Sequence, residues 1–294
     1  MTETEQEINN PVVGVSLGGR TLLAGKVEKG EIKKPITKKI NTKESEHIVL
    51  GELIDSIGEV FDDNIVGIGI GVPSLVDVEH GIVYKVEKIP SWNEVHLKEI
   101  LENRFQVPVY VNNDANCFVI GEHYFGNARN HENIVGLILG DGVGAGIIFK
   151  GHLYSGSNCG AGEFGSVPYR NHNYEYYLSE SYFEEKYGIQ ADNLFSRAKK
   201  NDKIALAIYE QYGYDLGNAI KTILFSVDPE IIVIGGVLTK AFSYFEAAMW
   251  GKANSFPYKH SLKKLKIVIS ERKNIAVLGA AALYYDAQNT VLKK

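Results

Sequence analysis

Cysteine, methionine and tryptophan are scarce in this 294-residue chain, with two of each. Cys117 and Cys159 make no metal-ligand spacing and no disulfide framework, so a reducing cytoplasm is the expected compartment. No apolar run approaches the ~18 residues of a membrane span. The polar, acidic opening MTETEQEINN lacks the apolar core of a secretory signal. Positive charge is not in excess: 31 Lys and Arg stand against 36 Asp and Glu, a net charge of −5. Neither nucleic acid nor an anionic membrane is therefore an expected partner.

What remains is an ordinary globular composition. Hydrophobic residues make up 45% and charged residues 23%, enough to build a real core. The length suits one large domain or two moderate ones. The stretch Val107 to Gly126, VPVYVNNDANCFVIGEHYFG, organises the reading. A β-rich run, Val107 to Val111, is broken by Asn112 and Asn113. Asp114 then opens Ala115 to Phe125, whose apolar residues recur at helical spacing. Asp114 is either simply a helix N-cap or a carboxylate held rigid and charged at a strand end, the placement a general base needs.

The first element, Val12 to Leu17, meets the turn Gly18-Gly19-Arg20 and a second strand, Thr21 to Val27. Further strands are expected near Glu31 to Lys39 and at Ile65 to Val72, with a helix around His47 to Phe61 between them. In the second of these strands Gly67, Gly69 and Gly71 alternate, leaving one face bare for a close approach. Pro73, Ser74 and the segment 77–81 form the loop beyond, and a helix is expected over Trp92 to Phe105. The pattern strand–glycine turn–strand returns at Ile134 to Lys150, around Gly140-Asp141-Gly142-Val143-Gly144-Ala145-Gly146. These glycines join strands, whereas those of a dinucleotide fingerprint open a helix, and no G-K-[S/T] of a P-loop follows. Clustered glycine amides in two such turns can nest a polyphosphate. Leu178 to Phe225 reads as mostly helical. A buried strand, Ile231 to Ile234, leads through Gly235-Gly236 into a helix ending near Trp250. A last strand, Leu265 to Ile269, precedes a small-residue helix, Asn274 to Ala287.

This order of motifs (strand–Gly-Gly–strand, I-G-I-G-V-P, N-D-A-N, strand–glycine turn–strand, G-A-G-E-x-G and I-I-V-I-G-G) resembles the ROK family of sugar kinases and sugar-responsive repressors, over about Val12 to Ala287. The resemblance implies an actin/hexokinase-like α/β fold, with two RNase H-like domains closing on a cleft. The expected boundaries are 1–112 plus 274–294 for the N-terminal domain and 113–273 for the C-terminal one. It further implies Asp114 as the catalytic base that draws a proton from a sugar hydroxyl attacking the γ-phosphoryl group of ATP. Asn113, Asp114, Glu163 and Glu175 would bind the sugar, with Gly71, Pro73 and Ser74 lining its pocket. Gly18, Gly19, Arg20, Gly140, Asp141, Gly142, Gly144, Gly235 and Gly236 would serve the nucleotide. A homodimer is the common family state.

The chain departs from the family pattern in three places. The first turn, D-x-G-G-T in the family, is Ser16-Leu17-Gly18-Gly19-Arg20, and the second, usually G-T-G, is Gly140-Asp141-Gly142. Either Asp141 replaces the lost carboxylate near Mg, through water, with Arg20 pairing with it or contacting a phosphate, or these changes are drift in a site that no longer binds nucleotide. The family's zinc histidine is Ser166, and its cysteine loop is the short run Tyr169 to Tyr174, so no zinc is expected. Two functions follow. One is a glucokinase-like enzyme phosphorylating a hexose or N-acetylhexosamine with ATP. The other is a non-catalytic sugar-binding or regulatory protein with a degenerate nucleotide site. A repressor's helix-turn-helix would precede the first strand, where only about ten residues stand.

Overall fold

The computed structural model describes residues 10–157 and 159–292. The chain divides into two compact units. The first comprises Met1–Asn130, Gly146–Ala161 and Glu271–Lys294, and the second His131–Ala145 and Gly162–Ser270. In the first unit β1 (Val12–Gly18), β2 (Thr21–Glu28) and β3 (Glu31–Lys39) form an antiparallel meander. Helix α1 (Glu46–Val60) follows, and then β4 (Gly67–Val72). Three very short strands, β5 (Leu75–Asp77), β6 (Ile82–Tyr84) and β7 (Glu94–His96), pair antiparallel as a small separate sheet. Helix α2 (Leu97–Phe105) leads to β8 (Val109–Asn113), and α3 (Asp114–Phe125) follows without a gap. The main sheet has the order β3-β2-β1-β4-β8, with β1, β4 and β8 mutually parallel.

The helix expected from Trp92 begins only at Leu97, because Glu94–His96 is extended against β6. Trp92 itself is buried in the core among the apolar residues of β1, β4 and α1. The expected domain boundary at 112/113 also differs from the compact units, which keep α3 with the first. The reason is packing. Helix α10 (Ile275–Leu292), from the far end of the chain, lies against α3 so closely that a Cβ on Gly279 would stand 1.7 Å from the Cys117 carbonyl oxygen.

In the second unit β9 (Ile134–Leu139) runs through a turn into β10 (Val143–Phe149), which leaves this unit at Ala145 and, in the first, pairs with β11 (His152–Leu153). A two-strand hairpin, β12 (Pro168–Tyr169) and β13 (His172–Asn173), precedes α4 (Tyr174–Leu178), α5 (Glu180–Tyr187) and α6 (Ala191–Ala198). The long α7 (Lys203–Val227) starts on Asp202, whose carboxylate accepts from the Ile204 and Ala205 amides. It stops where Asp228 turns left-handed (φ 41°) ahead of Pro229. Strand β14 (Ile231–Gly235), helices α8 (Phe242–Ala253) and α9 (Lys259–Lys264), and β15 (Lys266–Ile269) complete the unit. Strand β14 is parallel to β9 on one side and to β15 on the other. Among the described residues no helix is long and apolar enough to cross a membrane.

Candidate active site

The register of the first unit's sheet brings two of the anticipated motifs to one edge. Ser16 pairs with Gly71, and Gly71 with Asn112, across the three parallel strands. The Gly18-Gly19-Arg20 turn and Asp114 each lie two to four residues beyond that row. Gly18 ends β1, and Gly19, Arg20 and Asp114 therefore stand past the C-terminal ends of β1 and β8, the edge at which parallel α/β sheets bind ligands. Two strand spacings of ~4.8 Å put them roughly 10 Å apart. Gly19 has φ +58°, a conformation glycine takes without strain.

The β8–α3 junction is tied by asparagines. Asn113 caps α3, its Oδ1 accepting from the Asn116 amide at 2.7 Å. Asn112 Oδ1 accepts from the Asn113 amide at 2.9 Å and from Asn116 Nδ2 at 2.8 Å. All three side chains are buried. The N-cap is thus Asn113, and Asp114, expected in that position, is the first helical residue. Asn112 and Asn113, expected to break the strand, are its last two members. The cap uses only the Asn113 oxygen, and its amide nitrogen is a separate donor. Solvent reaches Asp114, yet protein atoms crowd the carboxyl, and this desolvation raises its pKa above the usual 3.8. The amides of Ala115 and Asp114 and the charge of Lys88 pull in the opposite direction. Burial, and after it the Asp114 charge, push the Cys117 thiol well up, so Cys117 is neutral.

The alternate glycines of β4 seat helices. A Cβ on Gly69 would lie 1.8 Å from the Ala280 carbonyl oxygen, one on Gly67 2.4 Å from the Tyr284 ring, and one on Gly71 2.9 Å from Cys117 Sγ. The bare face expected beside a sugar is therefore occupied by α10 and α3. Gly71 is buried and lets the start of α3 approach the sheet. Pro73 and Ser74 are half-buried just past β4, and the Ser74 hydroxyl donates to the Tyr84 carbonyl.

In the second unit Gly140-Asp141-Gly142 joins β9 to β10. The expected turn ran on to Gly146, but Gly144 already lies within β10. The turn is closed by the Glu180 amide donating to the Gly140 carbonyl at 2.8 Å. Glu175, on α4, accepts from the Val143 amide at 3.0 Å and fills the space a Gly142 side chain would need. Asp141 and Glu175 share a cavity of about 500 Å³ with Ser166, His172, Tyr176 and Ser179. Glu180 titrates above the ordinary range, through desolvation and then the Asp141 charge. Glu163 is exposed just before the short 3-10 turn Phe164–Ser166. Gly235 ends β14, and Gly236 (φ +93°) turns the chain so close to β9 that a Cβ would meet the Leu139 carbonyl oxygen at 2.2 Å.

Around the Tyr169–Tyr174 run the structure shows what fixes the loop. The fully buried Asp215 carboxylate accepts from Arg170 at 2.6 Å, Tyr169 at 2.9 Å and Gln211 at 3.2 Å, and Tyr169 stacks on Tyr174. Among the described residues no three His, Cys, Asp or Glu side chains gather as a metal site.

Two α/β units built on these sheets define a protein of the actin/hexokinase-like class. The family description "ROK family" matches residues 12–287, and the chain belongs to that family. It is 29% identical to a glucokinase of Thermotoga maritima over 92% of this chain and 96% of that protein. It is also 27% identical to the xylose repressor of Bacillus subtilis, over 76% of this chain and 62% of the repressor. Its fold is similar, at a TM-score of 0.74 and 21% identity, to a ROK family glucokinase from Streptomyces griseus in complex with glucose and AMPPNP. That match covers 93% of this chain and 98% of the other.

Proposed function

We propose that the chain is an ATP-dependent sugar kinase acting on a hexose or N-acetylhexosamine, with Asp114 as general base. The observation that carries this reading is the β8–α3 junction. Asn113 caps α3, and the Asp114 carboxylate, which meets the amides of Ala115 and Asp114, keeps acceptor capacity for a reactant. Its backbone is locked by buried asparagines at the ligand-binding edge of the sheet. Asp114 accepts the proton of a sugar hydroxyl as that oxygen attacks the γ-phosphorus of ATP. The bond to ADP breaks, and sugar phosphate, ADP and a proton result. Asn113 donates to the sugar, and Glu163 and Glu175 accept from its hydroxyls. The turns at Gly18-Gly19-Arg20 and Gly140-Asp141-Gly142, Gly144 and the Gly235-Gly236 bend are assigned to phosphates and nucleotide. Mg suits oxygen donors and keeps its waters, so the exposed Asp141 carboxylate would hold it through water.

A coupled ADP-release assay over a sugar panel tests the activity. Asp114→Asn should lower turnover by roughly 10²-fold or more and leave stability within about 0.5 kcal/mol, since Asn113 still caps α3. Because crowding raises the Asp114 pKa, wild-type kcat/KM should fall as pH drops through a value above 3.8, where the base becomes protonated. Turnover in Asp114→Asn within threefold of wild type would remove Asp114 from this role. The second reading, a sugar-binding regulator, draws on the similarity to a repressor and on Ser16, Arg20 and Asp141 in the turns. It requires sugar binding without ATP turnover in the same assay.

A further inference from the structure

Helix α7 buries mainly apolar residues, yet Gln211, Asp215, Asn218 and Thr222 recur along it at intervals of four, three and four. That spacing sets them on one face of the helix. The polar stripe meets the β12–β13 hairpin. Asp215 Oδ1 accepts from Arg170 Nη2 at 2.6 Å and from the Tyr169 hydroxyl at 2.9 Å, and Gln211 donates to the other oxygen at 3.2 Å. Asn218 Nδ2 donates to the Tyr169 hydroxyl oxygen at 2.9 Å, and the hydroxyls of Thr222 and Tyr174 stand 2.9 Å apart. Within the hairpin Arg170 takes φ +51°, and its guanidinium carbon lies 5.0 Å from the centre of the Tyr169 ring and 5.2 Å from that of Tyr177.

The same hairpin also lines the 500 Å³ cavity, through His172 and Asn173. Asn173 caps α4 by accepting from the Tyr176 amide at 2.9 Å, and Glu175 follows Tyr174 directly on that helix. Glu175 Oε2 then accepts from the Val143 amide at 3.0 Å. A continuous run of contacts therefore leads from the fully buried Asp215 to the Glu175 carboxylate.

We propose that Arg170 and Asp215 are positioning residues for Glu175, clamping the hairpin on α7 so that the Glu175 carboxylate is held at the Val143 amide and the cavity. The assignment deepens the proposed function, in which Glu175 accepts from a sugar hydroxyl. A buried ion pair gains little stability over apolar packing of the same volume, so what this one supplies is a fixed geometry. Arg170 suits that task because its planar guanidinium bonds a carboxylate and stacks on rings at once. Loosening the pair frees the hairpin, and the first functional atom to lose its place is on Glu175.

The test uses the full chain as wild type, Arg170→Met, Glu175→Gln and the double variant, each assayed at a temperature where circular dichroism shows it folded. Arg170→Met should raise the sugar KM about tenfold, the order of one weakened charged hydrogen bond, with kcat changed far less. Arg170→Lys, which keeps the charge, should recover part of that loss. In the double variant KM should be no higher than in Glu175→Gln alone, because the clamp then has nothing left to place. Independently of activity, the 15N-resolved Val143 amide should shift in Arg170→Met toward its position in Glu175→Gln. A clamp that only stabilises the fold would leave the Val143 amide and the KM of the folded variant where they were, or add its effect to that of Glu175→Gln, and either result would overturn the assignment. Should Arg170→Met fail to fold, Tyr169→Phe removes one donor to Asp215 and takes its place. If wild type phosphorylates no sugar, the kinase reading fails by itself, and the Val143 amide still decides the role of the clamp.

Discussion

Substituting Gly69 by alanine tests how the first unit is held together. The added methyl would stand 1.8 Å from the Ala280 carbonyl oxygen and 2.5 Å from its carbon, both main-chain atoms of α10. Ordinary contact begins at 3.4 Å, so the helix must retreat by about 1.6 Å at that point. It has little room to tilt, because Gly14 and Gly67 seat the same helix, at 2.1 Å from the Val277 carbonyl oxygen and 2.4 Å from the Tyr284 ring. Retreat at Gly69 strips contacts along the whole face, so the cost should reach about 3 kcal/mol, the upper end for overpacking. That is a large share of a typical stability of ~5–15 kcal/mol. Urea denaturation followed by circular dichroism measures it. Gly58→Ala on the exposed face of α1 is the control, since a Cβ there meets nothing within 4 Å. That change should stabilise by up to about 1 kcal/mol through helix propensity alone. Opposite signs for two identical chemical changes are the expected result. Gly69→Ala within about 0.5 kcal/mol of wild type would refute the claim that β4 uses its glycines to seat α10.

Arg170→Met should destabilise the second unit by about 2 kcal/mol. This is below the usual cost of breaking a buried pair, because Tyr169 and Gln211 still donate to Asp215. Burial raises the Asp215 pKa, so between the ordinary carboxylate range and that raised midpoint the folded form binds more proton than the unfolded chain. Stability therefore falls as pH rises from the ordinary carboxylate range to the folded pKa, and losing the arginine should steepen that fall in pH-dependent urea titrations. Purified protein should carry no stoichiometric zinc, and a chelator should leave the melting temperature unchanged. One zinc per chain by elemental analysis would overturn the reading of the Ser166 and Tyr169–Tyr174 region. Calorimetry with Mg-ATP should show binding to wild type and a weaker, less Mg-dependent binding to Asp141→Ala. Stronger binding in that variant would instead mark Asp141 as a repulsive charge in a lapsed nucleotide site.

The local patterns of this sequence were legible wherever one stretch decides its own conformation. The β1–β2 hairpin follows from alternation around Gly18-Gly19, and the β8–α3 junction from a β-rich run meeting a helical period. The identity of the cap was not, because asparagine and aspartate cap about equally well and the choice between adjacent residues depends on the buried Asn112 and Asn116. Strands β5 to β7 are three residues each, too short for a period-2 signal. The alternate glycines announced a close approach, but what approaches comes from residues 275–292, some two hundred positions later. Glu175 is assigned to the sugar on motif order, and that its carboxylate also accepts from the Val143 amide, just past Gly140-Asp141-Gly142, is a contact no motif announced.

The discontinuity of the first unit sets an order of events during synthesis. Its sheet is encoded within residues 12–113, yet the helix that covers the glycine face of β4 is encoded only at residues 275–292. While residues 131–270 are being translated, that groove has no native occupant, and the early strands must wait with a flat apolar surface exposed. Contacts of such long sequence separation are slow to form. Transiently open surfaces of this kind are where nascent chains aggregate or engage chaperones. The second unit, made from a more nearly continuous stretch, can complete its own packing sooner. Final closure of the first unit, and with it the seating of α3 behind Asp114, thus waits for residues 275–292 and couples the assembly of the base to the arrival of that helix.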